Sequence, residues 1–175
     1  MVDLAPLLLL LLLAGSLGVS LVTDLRRRLI LDVVTYPTLG LSLAVRAALV
    51  GWDGPLGLWA GLLGAAVGLV VLLPAAWRGG MGMGDVKLAG AVGAAVGFER
   101  IFGVLFWIAI AGGVLAFAVA VKSGTLGRTL KSTARVLLRR EGSEPAEAER
   151  VFLPYGVAIV AGTALSLVLE AGASW

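Results

Sequence analysis

Residues 78–97 read RGGMGMGDVKLAGAVGAAVG. Glycine takes every second position up to Asp85, at Gly80, Gly82 and Gly84, and Lys87 follows before small and apolar residues resume. A carboxylate here is either a cap at the start of a helix or part of a site. As a helix, the segment from Asp85 to the next polar loop at "GFER" spans only about 20 Å. The hydrocarbon core of a bilayer is about 30 Å thick. In a membrane protein, therefore, either the bilayer thins at this helix or Asp85 sits below the membrane surface, inside the bundle. An ionisable group at such depth is costly and points to function.

The composition supplies the membrane. Of 175 residues, 59% are hydrophobic and 14% charged, too little charge to clothe a soluble domain. The chain holds no cysteine and no histidine. Disulfides, thiolate chemistry, imidazole-ligated metals and histidine-based triads are thereby excluded. An enzyme built from this chain must use carboxylates as its acid and base, with Lys, Arg or Tyr at most in support. No cofactor is implied and no metal-ligand set stands out.

About six apolar segments are candidates to span, at residues 4–22, 33–50, 55–77, 83–97, 101–121 and 152–169. The second is interrupted by Pro37 and Arg46, and the fourth is short. The expected fold is all-α: one polytopic bundle over residues 1–175, with no second domain. The first segment has a signal-peptide-like apolar run, but "MVD" before it is not basic, whereas Arg26, Arg27 and Arg28 follow it. That is the pattern of a retained helix with its N-terminus outside. The connections "WRGGMGMGDVK" and 122–150 are basic, while "GWDG" and "GFER" hold little positive charge. Both termini are expected outside and the basic loops in the cytoplasm. The net charge of +3 then reflects topology, and no nucleic-acid partner is implied.

Within the long loop, "TLGRTLKSTARVLLRR" places Leu126, Leu130, Ala134 and Leu137 on one helical face and Arg128, Lys131, Arg135 and Arg139 opposite. It reads as a helix lying on membrane lipid at the cytoplasmic interface. The glutamates that follow, Glu141, Glu144, Glu147 and Glu149, are solvated or attract a basic substrate segment. Gly57, Gly61, Gly64 and Gly68, and then Gly90, Gly93 and Gly97, recur at helical spacing and are expected to let backbones approach closely in lipid.

Of the acidic residues, Asp24, Asp32 and Asp85 fall on the cytoplasmic side. Topology alone brings Asp24, at the end of the first helix, to the depth of Asp85 at the start of the fourth. Two carboxylates that meet there share a proton and act on water as general acid and general base. The structural alternatives are a helix cap for Asp85 and pairing with the neighbouring arginines for Asp24. Arg46 is expected to pair with Asp53 or to snorkel outward.

These residues resemble a known family. "GMGMGDVKLAGAVGAAVG" is similar to the G-x-G-D-x-K-L segment of the type IV prepilin peptidases, which are GxGD membrane aspartic proteases. "DLRRRLILD", from Asp24 to Asp32, is similar to that family's aspartate, basic run and I-P-N ending, with Leu31 and Asp32 in place of proline and asparagine. "FLPYGVAIVAG" is similar to its P-[YF]-G signature, with Val157 where many members have a second proline. The resemblance implies a peptidase that cuts the basic leader from prepilins or pseudopilins at the cytoplasmic face of a bacterial inner membrane. It implies Asp24 and Asp85 as the catalytic pair, and Gly82, Gly84, Lys87, Pro154, Tyr155 and Gly156 as substrate-binding residues. Lys87 also reads as a snorkelling interface lysine. The short form without a cysteine-containing methyltransferase segment is similar to the peptidases of tight-adherence (Flp) pili, so no methyl transfer is expected. On physics alone, an aspartate-lined ion or proton path through a small glycine-rich transporter also fits intramembrane carboxylates.

Overall fold

Long runs of leucine, alanine and valine with glycine between them satisfy every backbone group only as helices when water is excluded. A computed structural model of the chain describes residues 4–27, 32–78, 81–122 and 155–170, and helices account for nearly all of them. In chain order they are α1 (Leu4–Arg27), α2 (Asp32–Leu49), α3 (Leu58–Trp77), α4 (Met83–Val96), α5 (Phe98–Lys122) and α6 (Tyr155–Glu170). Among the described residues there is no strand. Three helices are long and apolar enough to cross a membrane, over Leu4–Arg26, Leu58–Trp77 and Phe98–Val119. The other three are shorter, with 18, 14 and 16 residues in α2, α4 and α6. The basic stretch 123–150 and its expected interfacial helix lie outside the described residues.

α4 is the centre of the bundle. From Asp85 to Val96 every residue but Lys87 is buried. Its alanines and glycines let neighbours come close, and α3 packs against it most extensively. A Cβ added at Gly64 would lie 2.8 Å from the Gly97 carbonyl carbon, and one at Gly68 would lie 2.8 Å from that of Ala89. The two backbones therefore touch, as the glycine spacing predicts. Gly57 and Gly61 do something else. The first packs on the Trp52–Asp53 turn, and the second makes room for the Arg46 side chain, whose Cδ lies 2.6 Å from where a Cβ would stand.

Arg46 departs from expectation. It neither snorkels nor pairs with Asp53; it is fully buried, at 0% exposure. Its Nε donates to the Ala94 carbonyl and its Nη2 to that of Ala95, both at 2.8 Å. Nη1 reaches the Gly57 carbonyl at 3.4 Å. The physical reason is the end of α4. The last carbonyls of a helix lack partners within it, and in a dry bundle no water supplies them. A cation there also opposes the negative end of the helix dipole.

α2 is arranged to deliver that guanidinium. Its buried residues are Thr35, Thr38, Ser42 and Arg46, which share one helical face. Val33, Tyr36, Leu41 and Leu49 are exposed. Polar inside and apolar outside is the inverse of a soluble amphipathic helix and fits a lipid-facing surface. α1 runs beyond its expected end to Arg27, so Asp24 sits within the helix rather than after it. The core is closed by Leu13 and Leu17 of α1, Leu88 and Val92 of α4, Ile101, Val104 and Ile108 of α5, and Ile159 of α6.

Replacing Arg46 by methionine leaves the Ala94 and Ala95 carbonyls buried without donors, at about 1–3 kcal/mol each. Arg46→Met should lower the unfolding free energy in detergent by about 3 kcal/mol. Arg46→Lys, with one ammonium for the fork, should recover only part of that loss when both are followed by circular dichroism during unfolding.

Candidate active site

Asp24 lies on the inward face of α1 and is 6% exposed. The start of α6 is pressed against it. A Cβ at Gly156 would stand 2.6 Å from Asp24 Oδ2, and only a glycine leaves that space. The backbone N–H groups of Gly156 and Val157 face the carboxylate, as the unpaired donors of a helix's first turn face an anion. Oδ2 itself has no hydrogen-bond partner among the described residues. It is a buried acceptor with a vacant lone pair. No ion pair joins Asp24 to an arginine among the described residues.

Asp85 lies in the first turn of α4 and is 8% exposed. It is not the N-cap. That position belongs to Gly82, whose backbone is extended at φ −74° and ψ 148°. The Gly82 N–H donates to Asp85 Oδ2 at 3.1 Å, and the Asp85 N–H donates to the Gly82 carbonyl at 3.1 Å. The carboxylate thus satisfies the turn from the third helical position and has its second oxygen to spare. Asp24 is close enough for its charge to act on Asp85. Two carboxylates far apart in the chain are each more than nine-tenths buried, Asp24 on α1 against the start of α6 and Asp85 in the first turn of α4, and they are near enough to interact electrostatically.

The remaining sequence-derived residues divide. Gly82 is exposed and Gly84 half-buried, both on the approach to Asp85. Gly156 lies in the pair's own contact shell. Tyr155 is half-buried and reaches α5, where its Cε1 would lie 3.4 Å from a Cβ at Gly112. Pro154 lies outside the described residues, as do Ile30 and Leu31. Lys87 turns away from the pair. Its Nζ donates to both oxygens of Asp32, at 2.7 and 2.8 Å, and stands 5.1 Å from the centre of the Tyr36 ring. It clips the start of α2 to α4 at the rim of the site. Among the described residues no three or more His, Cys, Asp or Glu side chains gather as a metal-binding set.

Sequence reading passed over Ser20, Thr163 and the inward face of α2. The signal was present: Ser16, Ser20 and Asp24 repeat every fourth residue on α1, and Thr35, Thr38, Ser42 and Arg46 hold helical spacing on α2.

The profile of the type IV leader peptidase family matches residues 11–117, well over half of the chain and both aspartates. The chain belongs to this family. No curated protein and no solved structure matches it. Membership supports a leader-peptidase-like protease, and with three apolar helices of spanning length it places the protein among membrane proteins. The family match ends before α6, so it is the packing of Gly156 on Asp24, outside the matched residues, that attaches the third motif to the first.

That contact is testable. Gly156→Ala should push the Asp24 carboxylate aside and lower peptide cleavage by about a hundred-fold, the usual cost of a misplacement near 1 Å. Helix content should be unchanged. Gly113→Ala, at a position with nothing within 4 Å of an added Cβ, should stay within about two-fold of the native rate.

Proposed function

We propose that the protein is an aspartic endopeptidase that removes the basic leader from type IV prepilins or pseudopilins, with Asp24 and Asp85 as its catalytic pair. The observation that carries the reading is the burial of two chain-distant aspartates, near enough to interact electrostatically, within the family-matched segment of a chain that has no histidine or cysteine. Carboxylates so close do not both ionise readily, so one holds a proton while the other takes one from water. The water oxygen attacks the scissile carbonyl carbon. The ionised aspartate accepts the proton released, and the protonated one delivers its proton to the departing amine. Their titration belongs to the pair rather than to either residue.

The surrounding residues have matching roles. Gly82 and Gly84 let an extended peptide approach Asp85 without side-chain obstruction. Tyr155 and Gly156, at the start of α6, form the wall opposite. Lys87, held by Asp32 and Tyr36, borders the cleft at the surface. The positive-inside pattern supports a bundle of about six membrane helices with both termini outside and the aspartates on the cytoplasmic side of a bacterial inner membrane. The shorter α2, α4 and α6 then complete their crossings beside α1, α3 and α5, with α4 enclosed and the outer face of α2 toward lipid. The substrate class is a chain with a basic leader, a small residue at the cut and an apolar helix beyond it.

The test is reconstitution in lipid with such a substrate. Asp24→Asn and Asp85→Asn should each reduce cleavage by about three orders of magnitude or more, as loss of a group that acts within a unit does. Asp32→Asn, which breaks only a surface ion pair, should remain within a few-fold. Failure of the folded native protein to cut several such substrates would overturn the assignment and favour an ion or proton path.

A further inference from the structure

Serine and threonine hydroxyls inside helices usually satisfy themselves on a carbonyl one turn back. Four of those in this bundle do so: Ser16 on Leu13 at 3.0 Å, Thr23 on Val19 at 3.0 Å, Thr35 on Asp32 at 3.4 Å and Thr38 on Val34 at 2.7 Å. Ser20 and Thr163 do not. They are 1% and 0% exposed, and their hydroxyl oxygens have no partner among the described residues. Ser42 is a third such hydroxyl, on α2, which does not touch α6 among the described residues.

Helix periodicity turns Ser20 and Thr163 toward the same seam between α1 and α6. α1 and α6 run antiparallel, because Gly156 at the start of α6 touches Asp24 near the end of α1, while Leu167 lines one small cavity with Leu9, Leu10 and Leu13. On α1, Leu13, Ser20 and Asp24 share one face; on α6, Gly156, Thr163 and Leu167 do. Ser20 stands about 6 Å from Asp24 along its helix and Thr163 about 10 Å from Gly156 along the other, so the hydroxyls lie within about 5 Å of one level. One helical turn further along α1 is Asp24, whose Oδ2 is also buried and also without a partner among the described residues.

We infer that this seam is a hydration site: water bound between Ser20 Oγ and Thr163 Oγ1, in reach of Asp24 Oδ2, behind the carboxylate pair rather than on its cytoplasmic side. Dry, three orphaned polar atoms would each carry an uncompensated desolvation penalty. Hydrated, they give water the two to four polar partners that a buried molecule needs. Resting on the proposed hydrolysis, the site is a store from which Asp24 draws water when a peptide covers the cytoplasmic opening.

The direct test needs no substrate. Solid-state NMR on the full chain in lipid measures magnetisation transfer from water to side-chain carbons. The Cβ signals of Ser20 and Thr163 should build up several-fold faster than those of the equally buried Leu88 and Val92. Build-up no faster than at Val92 would overturn the hydration site whatever the protein cleaves. Thr163→Val supplies the second reading, since it keeps shape and removes the hydroxyl. With water present it should lower the melting temperature and cut turnover about five-fold with KM unchanged, the worth of one hydrogen bond. A higher melting temperature would mean a dry seam, and unchanged turnover would overturn the supply role. Loss of all cleavage in the native protein would instead strike the proposed hydrolysis and leave the NMR result standing.

Discussion

A short helix buried on every side in a lipid-embedded bundle must have both of its ends satisfied by protein. α4 is that helix, and the rest of the structure follows from the constraint. Its flanks are small enough for α3 to lie backbone to backbone against it, at Gly64 and Gly68. Its C-terminal carbonyls are met by Arg46, a guanidinium brought in by α2. Its N-terminal turn is met by Asp85. An anion at the start and a cation at the end both oppose the helix dipole, so the two charges that lipid penalises most are the two that the helix itself requires.

The same constraint prepares the site. Because α4 cannot shift along its axis without unseating Arg46 from Ala94 and Ala95, the depth of Asp85 is fixed from the opposite end of the helix. Asp24 is fixed independently, by its place on α1 and by the bare Cα of Gly156. The two supports converge on a place that excludes bulk water yet leaves Asp24 Oδ2 unbonded. Preorganised polar groups in a dry site act more strongly than they would in solvent. The ion pair of Lys87 and Asp32 adds little energy at the surface, but it holds the entrance of α2 beside α4 and engages the ammonium away from Asp24 and Asp85.

Most of the helices were legible as apolar runs, and the sequence raised the expectation that Asp24 and Asp85 meet, because alternating basic loops would bring their ends to one side. The resemblance offered Gly156 only as a substrate-binding residue, and its contact with Asp24 was not legible, since nothing local in "PYG" points at an acid. Arg46 was misread for a definite reason. One basic residue in an apolar helix usually escapes to the interface, and its partners here are main-chain carbonyls 48 and 49 residues away, which carry no side-chain signature. The inverted face of α2 was written in Thr35, Thr38 and Ser42, but a polar stripe marks the inside of a helix only once lipid is known to be outside. The end of α1 was placed too early because Thr23 and Asp24 interrupt the hydropathy without interrupting the helix.

The central claim, that α1 and α4 present their aspartates to one another in the resting protein, can be measured without any substrate. The chain has no cysteine, so Asp24→Cys with Asp85→Cys gives a single thiol pair for a short bifunctional thiol reagent in lipid. Rapid cross-linking is expected for this pair and none for Asp24→Cys with Asp53→Cys, whose partner lies in the turn beyond the far end of α2. Cross-linking of the first pair no faster than the second, in protein shown to be folded, would contradict a shared site.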